Sequence, residues 1–113
     1  VFGLNLSGRM AVVTGAGGIL CGMFARTLAQ AGASVALLDI NLETAERTAR
    51  EIRAQGGNAA AYEVDVMDKD RLEGVHARVL ADLGPCDILI NGATRPAPTH
   101  PRSILKWGIL RRM

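Results

Sequence analysis

No run of apolar residues in this sequence approaches the ~18 that a membrane-spanning helix needs, so no membrane span is expected. Cysteine is scarce: Cys21 and Cys86 are the only two. One falls at an expected helix start and the other at an expected strand entrance, so no disulfide is expected. Neither has the spacing of a metal site. Two free thiols suit a reducing compartment, and the cytoplasm is the expected location. The start, Val1-Phe-Gly-Leu-Asn5, has no basic segment running into an apolar stretch, so no secretory signal is expected. Of the two histidines, His76 reads as a surface residue of a helix and His100 falls in an irregular tail. Charged residues are limited to 21% while apolar residues reach 49%, which excludes a disordered chain and leaves ample material for a core. A length of 113 residues allows one small domain.

Acidic residues are absent from the last twenty positions. Residues 1–93 hold 8 Lys/Arg and 11 Asp/Glu, a net charge of −3, whereas residues 94–113 hold 5 Lys/Arg and no acid, a net charge of +5. Three of the four prolines also lie after residue 93. Such a shift marks a boundary. The expected division is therefore a main part, 1–93, and an off-pattern basic tail, 94–113. The tail is expected to be a frameshifted or misjoined end rather than the native continuation. It carries one Trp among its basic residues, but with no groove-reading motif neither nucleic acid nor an anionic membrane is an expected partner.

What is present is organised around Met10–Ala33, MAVVTGAGGILCGMFARTLAQAGA. Met10–Thr14 is a short apolar run with β-branched residues, as in a strand buried on both faces. Gly15-Ala16-Gly17-Gly18 turns the chain. From Ile19 to Ala31, Leu20, Met23, Phe24, Thr27, Leu28 and Ala31 recur at helical spacing. Gly32 stops the helix, and Ser34–Asp39 begins a second strand. Strand, helix and strand in about 30 residues form a βαβ unit with a right-handed crossover. A phosphate can sit at such a helix start only if backbone N–H groups are free and no side chain blocks the approach. An acid at the end of the second strand then binds a ribose hydroxyl. Asp39 stands there, 24 residues after Gly15. The competing reading is a tight turn without a ligand, with Asp39 merely opening a loop.

Further alternation follows. Asn41 is expected to cap a helix over about Leu42–Gln55, with Leu42, Ala45, Ala49 and Ile52 on one face. Ala59–Val64 reads as a third strand. Asp68 is expected to cap a helix over Lys69–Leu83, with Leu72, Val75, Val79 and Leu83 inward. Cys86–Asn91 reads as a fourth strand. The expected fold is α/β: a doubly wound parallel sheet of the Rossmann type, incomplete, with four strands in the order 3-2-1-4. The first two helices are expected on one face and the third on the other.

Thr14-Gly15, Asp65 in VDV and Ile88–Ala93 in ILINGA resemble the short-chain dehydrogenase/reductase pattern: TGxxxGxG after the first strand, an Asp-Val pair after the third, NNAG after the fourth. The resemblance covers roughly residues 4–93. TGAGGILCG, LLDIN and GPCDILINGA are similar to the mannonate/fructuronate oxidoreductase-like branch. There are departures. Ile19 and Cys21 stand at the second and third fingerprint glycines, Gly92 replaces the second Asn of NNAG, and Thr94 replaces its final Gly.

The resemblance implies an NAD-dependent oxidoreductase that transfers hydride between NAD and an alcohol or ketone, a sugar acid in this branch, and a homo-oligomer in full-length form. The cofactor-binding residues it implies are Gly15, Gly17, Gly18, Ile19, Leu20, Asp39, Asp65, Val66, Asn91, Gly92 and Ala93. Asp39, with no Lys or Arg from Gly15 to Gly22 or at Ile40 and Asn41, favours NAD over NADP. Asp65 has two readings: an acceptor for the adenine amino group, or part of a helix-capping turn. Asn91 is expected to tie the fourth strand to its neighbours. Cys21 is either a thiol activated by a helix N-terminus or a small residue packed beside the turn.

No catalytic residue is assigned. The family's Tyr lies four residues before a Lys, and the single tyrosine, Tyr62, has Val66 at that spacing. Two other readings stay open, a non-catalytic nucleotide-binding fragment and a methyltransferase-like domain; TGAGG with VDV and ILINGA points away from the latter.

Overall fold

The structure, a computed structural model, describes residues 5–92. Strand and helix alternate: β1 Met10–Thr14, α1 Ile19–Gln30, β2 Ser34–Asp39, α2 Leu42–Ala54, β3 Ala59–Glu63, α3 Lys69–Leu83 and β4 Ile88–Asn91. The strands pair in parallel in the order β3-β2-β1-β4. This is the doubly wound arrangement expected from the alternation. β4 begins at Ile88, two residues later than the expected start at Cys86, and Asp87 N just before it donates to Met10 O at 2.8 Å. The N–H of Met10, opposite its start, donates to the Asp87 carboxylate at 3.0 Å. The segment 94–113 and Ala93 lie outside the described residues.

Side chains on successive strand residues point to opposite faces, and both faces are covered. On one face Met10, Val12, Ala36, Leu38 and Tyr62 pack with Leu72, Val75 and Val79 of α3. On the other, Val13, Val35 and Leu37 pack with Ala25 of α1 and with Ala45, Ala49 and Ile52 of α2. β1 is buried at all five positions, as the middle strand of a parallel sheet must be. Leu42, expected on the inward face of α2, is 40% exposed, and Thr48 is buried in its place.

The apolar residues of α1 do not form its buried face. Gly22 and Ala25 are buried, and Ala29 and Leu28 pack half-buried behind them. Leu20, Met23 and Phe24 are turned outward, 61%, 53% and 43% exposed. The buried side of α1 thus carries its smallest residues, and the bulkier ones stand outside the packed layer. Hydrophobic spacing locates the helix, but side-chain volume decides which stripe is inside.

Tyr62 closes the α3 side. Its hydroxyl donates to Asp82 Oδ2 at 2.7 Å, and the Arg78 guanidinium lies 5.2 Å from its ring centroid. Burial raises the phenol above its ordinary value of 10.0, the Asp82 hydrogen bond raises it further, and Arg78 opposes both. His76 is half-buried in α3 rather than on the open surface, and burial lowers its pKa. Among the described residues no helix is long and apolar enough to cross a membrane.

Truncation should separate core from surface. Leu38→Ala, at a fully buried position, is expected to cost about 2–5 kcal/mol in urea unfolding. Leu80→Ala, at a side chain 48% exposed, should stay within about 0.5 kcal/mol. Tyr62 gives a pH signature. Because its folded pKa lies above its unfolded one, its contribution is whole below pH 10.0 and is lost as pH rises from there through the folded value. Thermal midpoints should fall above that pH, and Tyr62→Phe should flatten the fall.

Candidate cofactor site at the carboxyl edge of the sheet

The turn between β1 and α1 is fixed by backbone bonds. Gly18 N donates to Gly15 O at 3.0 Å, and Ala16 N donates to Leu38 O at 3.2 Å, which holds the turn against the end of β2. Gly17 N donates to Asp39 Oδ2 at 2.8 Å, and Asn41 N donates to Asp39 Oδ1 at 2.8 Å. One carboxylate therefore joins the glycine turn to the start of α2. No side chain fits at residue 17. A Cβ there would overlap Thr44 Oγ1 and come within 2.8 Å of Thr44 Cβ and 2.9 Å of Asp39 Oδ2. Thr44 is held by the α2 cap: its N–H donates to Asn41 Oδ1 at 3.4 Å, and its hydroxyl donates to Asn41 O at 3.1 Å.

The three helix starts differ. Asn41 caps α2 and Asp68 caps α3, each through its side chain. α1 begins at Gly18 with no side-chain cap and no acid in its first turn. The N–H groups of Ile19, Leu20 and Cys21 have no carbonyl within the helix to receive them. They face outward at the positive end of the helix dipole. Ile19 and Leu20 are themselves exposed, 89% and 61%. A glycine turn whose one side chain, the Ala16 methyl, is buried can receive an anion through its backbone below an uncapped helix start.

The other flank is formed by β4. Thr14 Oγ1 donates to Asn91 Oδ1 at 2.7 Å and accepts from Gly92 N at 3.1 Å. Gly92 N also donates to Thr14 O at 3.1 Å. Asn91 thus ties β4 to β1 as expected, through a threonine hydroxyl whose part the TG motif alone did not reveal. Thr44 gave no sequence signal beyond its place three residues after the cap. The turn reading of Asp65 is realised: Oδ1 accepts from Met67 N at 3.0 Å, and its carbonyl accepts from Asp68 N at 2.8 Å. Val66 packs half-buried against the α3 face of the core. Val64 N donates to Asp39 O at 3.0 Å, which sets this loop beside the end of β2.

Gly15, Gly17, Gly18, Ile19, Leu20, Asp39, Asp65, Asn91 and Gly92 thus follow the carboxyl ends of the strands or open the helix after them. The sheet order reverses between β1 and β4, and the crevice of a doubly wound sheet opens at that point. Tyr62 is not at this edge: it is buried in the core. Neither Cys21 nor Cys86 is in a disulfide, and the Cys86 thiol donates to Ile88 O at 3.2 Å. Among the described residues no three His, Cys, Asp or Glu side chains come together as a metal site.

Comparison with known proteins agrees with this geometry. The family model for short chain dehydrogenase matches residues 9–107, a span that runs past Ala93 into the basic segment. An uncharacterised oxidoreductase of Haemophilus influenzae is 45% identical over 89 residues, 79% of this chain and 31% of that protein. The crystal structure of a candidate D-mannonate oxidoreductase of Haemophilus influenzae with bound NAD superposes with a TM-score of 0.80 at 43% identity, over 84% of this chain and 34% of that one. A metagenomic short-chain oxidoreductase in complex with NADP gives a TM-score of 0.75 at 39% identity, over 80% of this chain and 41% of that one. The chain spans about a third of the length of the curated relatives it matches. With the parallel sheet, the glycine turn and the carboxylate at the end of β2 in place, the chain belongs to the short-chain dehydrogenase family.

Proposed function

We propose that this chain is the cofactor-binding part of an oxidoreductase that moves hydride between NAD and an alcohol or ketone, with a sugar acid such as mannonate as the substrate class. The observation that carries the reading is the uncapped start of α1 beside a turn that excludes side chains. Gly15, Gly17, Gly18, Ile19 and Leu20 offer backbone to the diphosphate. Asp39, already oriented by two N–H groups, accepts from the adenosine ribose with its remaining lone pairs. Asp65 and Val66 border the adenine, and Asn91 and Gly92 form the β4 flank, with Ala93 next in sequence but outside the described residues. The bound cofactor supplies the hydride chemistry; the residues of this chain bind and orient it. The sugar-acid substrate rests on likeness to the candidate mannonate oxidoreductase.

NAD is favoured over NADP by charge. A 2′-phosphate would meet the Asp39 carboxylate, and no Lys or Arg stands from Gly15 to Gly22 or at Ile40 and Asn41 to receive it. Relatives of both kinds exist, one bound to NAD and one to NADP, so the carboxylate is the deciding feature of this chain.

Calorimetric titration should give tighter binding of NAD than of NADP, and Asp39→Ala should weaken NAD by about 1–3 kcal/mol. Tighter binding of NADP by the unaltered chain would refute the role of Asp39. The 113 residues contain no Tyr-x-x-x-Lys. Purified alone, they should therefore bind cofactor without reducing it when given sugar acids or simple alcohols, as followed by nicotinamide absorbance. Turnover that copurifies with the chain would contradict this.

A further inference from the structure

Two positions at which the sequence departs from the family pattern meet in space. Cys21 stands at a fingerprint glycine in the first turn of α1, and Gly92 stands at an asparagine position just after β4. A Cβ on Gly92 would overlap the Cys21 sulfur and approach Cys21 Cβ to 3.4 Å and Thr14 O to 3.0 Å. The thiol occupies the space that a side chain at residue 92 would need.

We propose that Cys21 and Gly92 are a matched pair of positioning residues: the side chain that fills the gap between α1 and β4 comes from the helix instead of the strand, and it sets the spacing at which the first turn of α1 meets a bound dinucleotide. The role in binding rests on the function proposed above. Neither partner is free to yield. Gly92 is fixed by two hydrogen bonds from its N–H to Thr14, each 3.1 Å long. Cys21 is half-buried against the α1–α2 side of the core, and within a helix its χ1 is confined to two of three rotamers. With the sulfur in its present rotamer, a side chain added at 92 pushes α1 outward or pulls the end of β4 from β1. The first displaces the uncapped N–H groups of Ile19, Leu20 and Cys21, whose hydrogen bonds to an anion weaken steeply with angle. The second breaks the ties between Thr14 and Gly92.

The test is a double-mutant cycle in the 113-residue chain, read both by thermal unfolding and by NAD titration. Gly92→Ala should lower the midpoint and weaken NAD by about tenfold or more, the size of an overpacked contact. Cys21→Ala/Gly92→Ala, which removes the sulfur, should recover most of both losses. The remaining approach to Thr14 O at 3.0 Å asks for a shift of only a few tenths of an ångström. A double variant as impaired as Gly92→Ala, or equally unfolded, overturns the pairing. Recovery of the midpoint without recovery of NAD affinity overturns the positioning role and leaves the proposed function standing. An unaltered chain that unfolds cooperatively but binds no NAD overturns the proposed function and the positioning role together.

Discussion

The first turn of α1 lies so close to the carboxyl ends of the strands that side chains are excluded around it. A Cβ on Gly17 meets Thr44 and Asp39, one on Gly18 comes within 3.3 Å of Gly15 O, and one on Gly92 meets Cys21. Gly22 and Ala25 form the buried stripe of α1, and Leu20, Met23 and Phe24 stand outward. The start of this helix follows β1 at the edge where the strand order reverses. The anion binding proposed above would use that same tightly packed corner.

Asp39 has two tasks in that geometry. It accepts from Gly17 N and Asn41 N, which makes it a structural clip between the turn and α2. In the function proposed above, its charge would also face the cofactor's ribose. On the opposite flank the Thr14 hydroxyl does comparable work, giving one hydrogen bond to Asn91 and receiving one from Gly92. The end of β1 is therefore bonded to the end of β4, and the turn that follows it to the β2–α2 corner. The crevice has a floor before any ligand arrives.

Much of this was legible in the sequence. Apolar runs alternating with amphipathic segments gave the four strands, the three helices and the order 3-2-1-4. Asn41 and Asp68 were readable as caps because their side chains act within three residues. Hydrophobic spacing located α1 but assigned it no inward side; that Gly22 and Ala25 are buried while Leu20, Met23 and Phe24 stand outward came only with the fold. Asp65 was readable only as two alternatives, since one carboxylate suits both a turn and a ligand. The contacts of Thr44 with Gly17, and of Cys21 with Gly92, join residues 27 and 71 positions apart and leave no periodic trace. Cys21 and Gly92 each looked like an isolated departure; folding makes them one feature.

The central claim is that the uncapped start of α1, with its glycine turn, is where a dinucleotide binds. Backbone amide NMR shifts of the ¹⁵N-labelled chain, followed during NAD titration, test it most directly. The account predicts saturable shifts centred on Gly17, Ile19, Leu20 and Cys21, with Asp39 and Gly92 next. Shifts centred instead on the amino ends of the strands, around Ser34 and Ala59, or on the outward face of α3, would contradict it.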